Sequence, residues 1–150
     1  MFYHVPGKFN SGAYDANRRA KRRRVRERIA HGTLVYCGGA PVAWCQYGPQ
    51  EELPRIDRRR GYTSAFKGAW RITCLFVGKG HRRMGIARIA ISESMRLMKK
   101  EGVESVEAYP VEGKLSASML WSGTPELFEG LGFSRVSRLG KNSWIFCAML

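Results

Sequence analysis

Hydrophobic and polar positions change period several times along the chain, and each change predicts an element. From Asp15 to Arg28 polar and basic residues dominate, Gly and Pro are absent, and Arg and Ala are frequent. That composition predicts a helix over 15–30, ending near Gly32. Val25 and Ile29 lie a turn apart, but Ala16 and Ala20 fall on the opposite side, so most of this helix should face water. After Gly32 the runs become β-branched and aromatic. Residues 33–37 and 42–47, separated by Gly38-Gly39-Ala40-Pro41, predict a β-hairpin with a four-residue loop. A polar stretch over 49–69 follows, long enough to hold short structure or to line a site. Residues 71–77 predict a third strand.

From Ile86 to about Glu101 a polar stripe (Arg88, Ser92, Arg96, Lys99) lies opposite a broad, mostly apolar arc that includes Ala90, Ile91, Ser94, Met95 and Met98. This is the pattern of a helix covering a sheet, and Gly102 is placed to cap it. Residues 105–109 predict a strand that Pro110 closes. Thr124 as N-cap and Pro125 at the first helical position begin a short helix over 125–131. Residues 133–137 and 143–149 then form a closing hairpin. The order is helix, strand, strand, strand, helix, strand, helix, strand, strand. It describes an α/β layered fold with a mixed sheet flanked by helices, one domain over 1–150.

Composition narrows the function. The 150 residues are 44% hydrophobic with 17 Gly and 6 Pro, which excludes a wholly disordered or collagen-like chain. No apolar run approaches the ~20 residues a membrane helix needs, and Met1-Phe2-Tyr3-His4 does not open a signal peptide, so a cytoplasmic protein without a membrane partner is expected. Cys37, Cys45, Cys74 and Cys147 form no C-x-x-C pair and each lies in an apolar run. Buried thiols rather than a metal site are expected, and no metal is assigned. The formal charge of +14 says that the surface attracts anions: nucleic acid, acidic membranes or phosphorylated ligands.

The most informative segment is Gly78-Lys79-Gly80-His81-Arg82-Arg83-Met84-Gly85-Ile86-Ala87. It lacks the Lys-Ser/Thr of a P-loop and the third glycine of a dinucleotide fingerprint. It does carry Arg82-x-x-Gly85-x-Ala87 directly after a strand and opening a helix. Unpaired N–H groups at a helix start, with small residues at 85 and 87 and Lys79, Arg82 and Arg83 nearby, can hold a pyrophosphate. An ordinary strand-to-helix turn with a basic rim is the alternative.

Residues 77–87 resemble motif A of the GNAT superfamily of N-acetyltransferases, in which a strand closes with a valine before R/Q-x-x-G-x-G/A. Leu127-Phe128-Glu129-Gly130-Leu131-Gly132-Phe133 resembles the later GNAT motif of a short helix ending in Gly-Phe, and Val106-Glu107-Ala108-Tyr109-Pro110-Val111 resembles a strand of one GNAT subgroup. The element order from residue 15 onward fits the family topology. The resemblance implies acetyl-CoA as co-substrate, its pyrophosphate held by the N–H groups from Arg82 through Arg83, Met84, Gly85 and Ile86 to Ala87. It implies a pantetheine arm paired with the strand edge at Leu75 and Val77. The reaction it implies is direct acetyl transfer to an amine in a ternary complex, with no covalent enzyme intermediate. Glu107 is the expected general base and Tyr109 a candidate acid, with Ser116 and Ser118 as further candidates.

Two departures from the family pattern stand out. Phe128 occupies the position at which many GNATs carry a proton-donating Tyr. Only fourteen residues precede the helix at 15–30, where the family usually places a further strand and helix. Either the chain is incomplete, or something else, such as a second subunit in a homodimer, covers that sheet edge. The run from Arg18 to Arg28 separately resembles arginine-rich RNA-binding helices. The competing expectation is therefore a basic nucleic-acid-binding module, built on a GNAT scaffold without catalysis. Non-specific polyanion binding at low salt is expected in either case.

Overall fold

The computed structural model describes residues 1–5, 7–113 and 120–150. Helix α1 (Tyr14–Arg26) is followed by β1 (His31–Cys37), β2 (Ala40–Gly48) and β3 (Trp70–Val77). Then come α2 (Ile86–Lys100), β4 (Ser105–Ala108), α3 (Pro125–Glu129), β5 (Ser134–Arg138) and β6 (Trp144–Met149). The order and type of these elements match the expected ones. The hairpin differs in detail: Gly38 and Gly39, at φ 54° and 78°, form a two-residue turn, and Ala40 and Pro41 already belong to β2. Two successive positive φ values match the twist of the flanking strands, and only glycine adopts both at little cost. Cys37, beside that turn, is exposed, which corrects the expectation of four buried thiols; Cys45 and Cys147 are buried and Cys74 partly so.

The six strands form one sheet in the order β1-β2-β3-β4-β6-β5. Every pair is antiparallel except β3 with β4, which α2 connects. Helices α2 and α3 cover one face. Ile91, Met98 and Phe128 meet Leu75, Val106 and Phe146 there, each burial contributing roughly 1.5–3 kcal/mol. Ser94 belongs to this buried face because its hydroxyl bonds the Ala90 carbonyl at 2.8 Å and Thr33 at 2.9 Å. Gly102, at φ 78°, follows the last turn of α2 as expected, and the Thr124 hydroxyl accepts from Leu127 N–H at the start of α3.

The opposite face is covered by the N-terminal segment and residues 49–69, through Tyr3, Leu53, Ile56, Tyr109, Leu139 and Ile145. The polar stretch holds two 3-10 turns, Gln50–Glu52 and Ile56–Arg58. As expected, α1 lies mostly against water, with no buried residue. Strands β3 and β4 pair only from Trp70↔Val106 to Ile72↔Ala108. Beyond Ile72 they part, since Pro110 has no N–H to continue the ladder.

Candidate active site

The parting of β3 and β4 and the turn that follows β3 define the site. After Val77 the chain makes a 3-10 turn, Lys79–His81, and then reverses through Arg83 (φ 62°) and Gly85 (φ 77°) into α2. Gly85 adopts the left-handed region without a Cβ penalty, whereas Arg83 is strained there by roughly 1 kcal/mol. The first helical bond runs from Ile89 N–H to the Gly85 carbonyl at 3.2 Å. The N–H groups of Ile86, Ala87 and Arg88 therefore precede the ladder, no side chain caps them, and the first turn carries no acid. A Cβ placed on Gly80 or Gly85 would meet no atom within 4 Å, so the space before the turn is open. Arg82, Arg83 and Met84 are exposed around it. Arg82 Nε donates to the Val77 carbonyl at 3.1 Å and ties the turn to the end of β3. Free amide donors, a positive dipole end and three flanking cations fit a diphosphate.

The adjoining strand edge is partly occupied by the chain itself. Leu75 N–H donates to the Trp121 carbonyl at 2.7 Å, and Val111 N–H to that of Gly123 at 3.1 Å, so residues 120–123 lie in the gap between the strands. Gly123 has φ 75°, and a Cβ there would come within 2.7 Å of the Phe128 ring and 3.2 Å of Leu75. Phe128 is fully buried.

Glu107, in β4, and Tyr109, just beyond it, do share one face of the sheet, and that face is covered rather than open to solvent. Glu107 is 0% exposed, and its carboxylate accepts four hydrogen bonds. Tyr62 Oη (2.8 Å) and Tyr109 Oη (2.7 Å) reach Oε2, while Ser64 Oγ (2.7 Å) and Ala65 N–H (2.5 Å) reach Oε1. A base needs a lone pair within reach of the proton it removes, and these donors take the four that a carboxylate offers. In this arrangement Glu107 fastens residues 62–65 to the sheet. Tyr109 is held neutral, because burial pushes its phenol well above the ordinary value, and its hydroxyl is committed to Glu107. Ser116 and Ser118 lie outside the described residues.

Beside Glu107 stands Arg71, also 0% exposed. It forms an ion pair with Asp57 through both terminal guanidinium nitrogens, donates to Tyr62 Oη at 2.8 Å and reaches the Leu53 carbonyl at 3.0 Å. Burial works against its charge, but Asp57 and Tyr62 more than offset that and hold it above the ordinary arginine range. A third fastening is His4. It bonds the Glu52 carbonyl through Nδ1 at 2.7 Å, and its Nε2 faces Lys21 at 2.8 Å and Gln46 at 3.0 Å. Burial and the neighbouring Lys21 charge lower its pKa to about 4, so the ring is neutral. None of these fastenings was read from the sequence. Arg71, a lone charge in an apolar strand between Trp70 and Ile72, was the one available signal.

Comparison with known proteins identifies the group to which this architecture belongs. No curated protein matches the sequence. A ribosomal-protein-alanine N-acetyltransferase from Brucella melitensis is 16% identical over 98% of this chain and 84% of its own, with a TM-score of 0.61. An acetyltransferase from Thermus thermophilus gives 17% identity over 99% and 82%, with a TM-score of 0.61. The NatC complex bound to Gag peptide and CoA gives 15% over 97% and 83%, with a TM-score of 0.56. At these identities the likeness is one of fold. Residues 5–118 match the Acetyltransferase (GNAT) family itself, and with most of the chain so matched, the protein belongs to the GNAT family of acetyltransferases.

Proposed function

We propose that the protein moves an acetyl group from acetyl-CoA to a primary amine by direct transfer in a ternary complex. The observation that carries the reading is the open, uncapped and acid-free start of α2 behind Arg83 and Gly85. The N–H groups from Arg82 to Ala87 would bind the CoA diphosphate, with Lys79, Arg82 and Arg83 as counter-charges. The pantetheine arm would run along the β3 edge past Val77. To reach Leu75 it must replace the Trp121 carbonyl, an exchange of one hydrogen bond for another worth about 1 kcal/mol either way. NatC, a relative in fold, is described as bound to CoA.

In the transfer step the neutral amine nitrogen attacks the acetyl carbonyl carbon, the C–N bond forms and the C–S bond breaks. The thiolate leaves with the electron pair, and the amine proton passes to water. Phe128 cannot donate a proton and the Tyr109 hydroxyl is engaged, so water is the available proton carrier. Calorimetric titration of acetyl-CoA tests the reading at about 0.3 M salt, where the Debye length falls below ~8 Å and diffuse attraction is screened. One-site binding of acetyl-CoA with none of ATP is expected. Equal binding of both, or of neither, overturns the assignment.

A further inference from the structure

Where β3 and β4 part, on the face opposite α2, residues 49–69 and the N-terminal segment border a half-open cavity of about 420 Å³. Phe2, Tyr3 and Trp121 form an aromatic wall, packed edge-on and tilted with centroids 5.1 to 6.2 Å apart, and Arg55, Arg58 and Arg59 line the other side. The cavity adjoins the gap directly, because the Trp121 carbonyl is the group that accepts from Leu75 N–H. Among the described residues its lining contains no Asp or Glu. Among the described residues, none of the three arginines has a carboxylate within 4.0 Å, although Arg23, Arg71, Arg96, Arg135 and Arg138 each do.

The three differ in what already occupies them. Arg55 donates to the carbonyls of Val5 and Gly7 and lies 3.8 Å over the Phe2 ring, so it builds the wall. Arg59 donates to the Leu139 carbonyl and to Ser143 Oγ, and burial lowers its pKa, the mark of a cation held without a counter-charge. Arg58 is exposed and makes no side-chain hydrogen bond among the described residues. Three guanidinium groups without a carboxylate partner thus stand together against apolar walls. An anion would supply acceptors for the guanidinium forks in a bidentate geometry. The buried hydroxyls of Ser122 and Ser143 add two more hydrogen-bonding groups.

We propose that this cavity is the acceptor subsite and that it selects a small primary amine bearing an anionic group, a phosphate or a carboxylate. The proposal rests on the acetyl-transfer reading, since it places the acceptor beside the gap that the thioester would enter. Guanidinium groups repel an ammonium and hold the anionic end, which leaves the amine free to point toward Leu75.

The test compares matched amines at about 0.3 M salt and saturating acetyl-CoA: O-phosphoethanolamine against ethanolamine, and β-alanine against β-alaninamide, following thiol release. The charged member of at least one pair should have a kcat/KM more than about tenfold higher, and the favoured pair names the anion. Arg58→Gln should raise KM for that amine about tenfold with little change in kcat, while Arg22→Gln on the exposed face of α1 should change nothing. Equal rates within both pairs, or a preference that Arg58→Gln leaves untouched, overturn the proposal while acetyl transfer stands. Should acetyl-CoA not bind, the transfer reading fails separately, and titration of O-phosphoethanolamine and β-alanine without it still judges the cavity. One-site binding that Arg58→Gln abolishes supports the cavity, and no binding of either refutes it.

Discussion

Two arginine-bearing loops flank the gap between β3 and β4, and they are built in opposite ways. Residues 78–87 are held by backbone geometry: two left-handed residues and one side-chain bond from Arg82 to Val77. Residues 50–65 are held by buried side chains: Arg71 with Asp57, four donors on Glu107, and His4 on Glu52. On the proposed reading the first loop binds through its own N–H groups, so its backbone must stay free. The second presents only guanidinium groups, so its backbone can be fastened down. Substitutions should therefore separate cleanly, the first loop losing ligand and the second losing fold.

The largest effect is expected at Glu107. Glu107→Ala leaves two tyrosine hydroxyls, a serine hydroxyl and an amide without their acceptor beside a buried arginine, and should cost about 3–5 kcal/mol in urea denaturation. A loss under about 1 kcal/mol would mean that the second loop is not fastened through that carboxylate. The next effect is acid sensitivity through His4. Its folded pKa of about 4 lies below its ordinary 6.5, so between these values the unfolded chain binds the extra proton and stability falls as pH drops. The full span is worth about 3 kcal/mol at 1.36 kcal/mol per unit. His4→Gln should flatten that part of the stability-versus-pH curve, and an unchanged slope would assign the acid sensitivity elsewhere.

The first loop should show the reverse. Gly85→Glu places a carboxylate where the diphosphate is proposed to lie and should weaken acetyl-CoA binding more than about 100-fold. Its cost to stability should be only about 1 kcal/mol, from the φ of 77°. Comparable losses in both would erase the distinction between the loops. The smallest effect belongs to Arg82→Gln, which removes an exposed bond. A stability change within about 0.5 kcal/mol is expected, with an affinity loss of several-fold by calorimetry.

What could be read from the sequence follows the same division. Backbone features announce themselves locally: the hydrophobic period gives strands and helices, and Gly85, Ala87 and Gly102 mark turns and caps by residue type alone. The order of elements, the layering and the turn into α2 were all legible for that reason. The hairpin turn was misjudged by two residues because Pro41 reads as a breaker, although it sits at an edge-facing start of β2. The second loop was not legible, because its meaning lies in contacts between positions well apart in the chain, from 14 for Arg71 with Asp57 to more than 40. Ser64 with Glu107 and His4 with Glu52 are 43 and 48 positions apart. Alternation placed Glu107 and Tyr109 on one face, but only the fold shows that residues 49–69 cover that face.

The same contrast between fastened and unfastened chain extends to α1. None of its residues is buried, and its Lys21 ammonium lies against His4 and 5.3 Å from the Trp44 ring centroid. Local opening of such a helix forfeits little apolar contact, so its free energy lies far below that of global unfolding. The backbone amides of α1 should therefore exchange their protons with solvent orders of magnitude sooner than those of β3 or α2. The most highly charged element of the molecule is thus also the one that the rest of the fold can lose and recover at least cost.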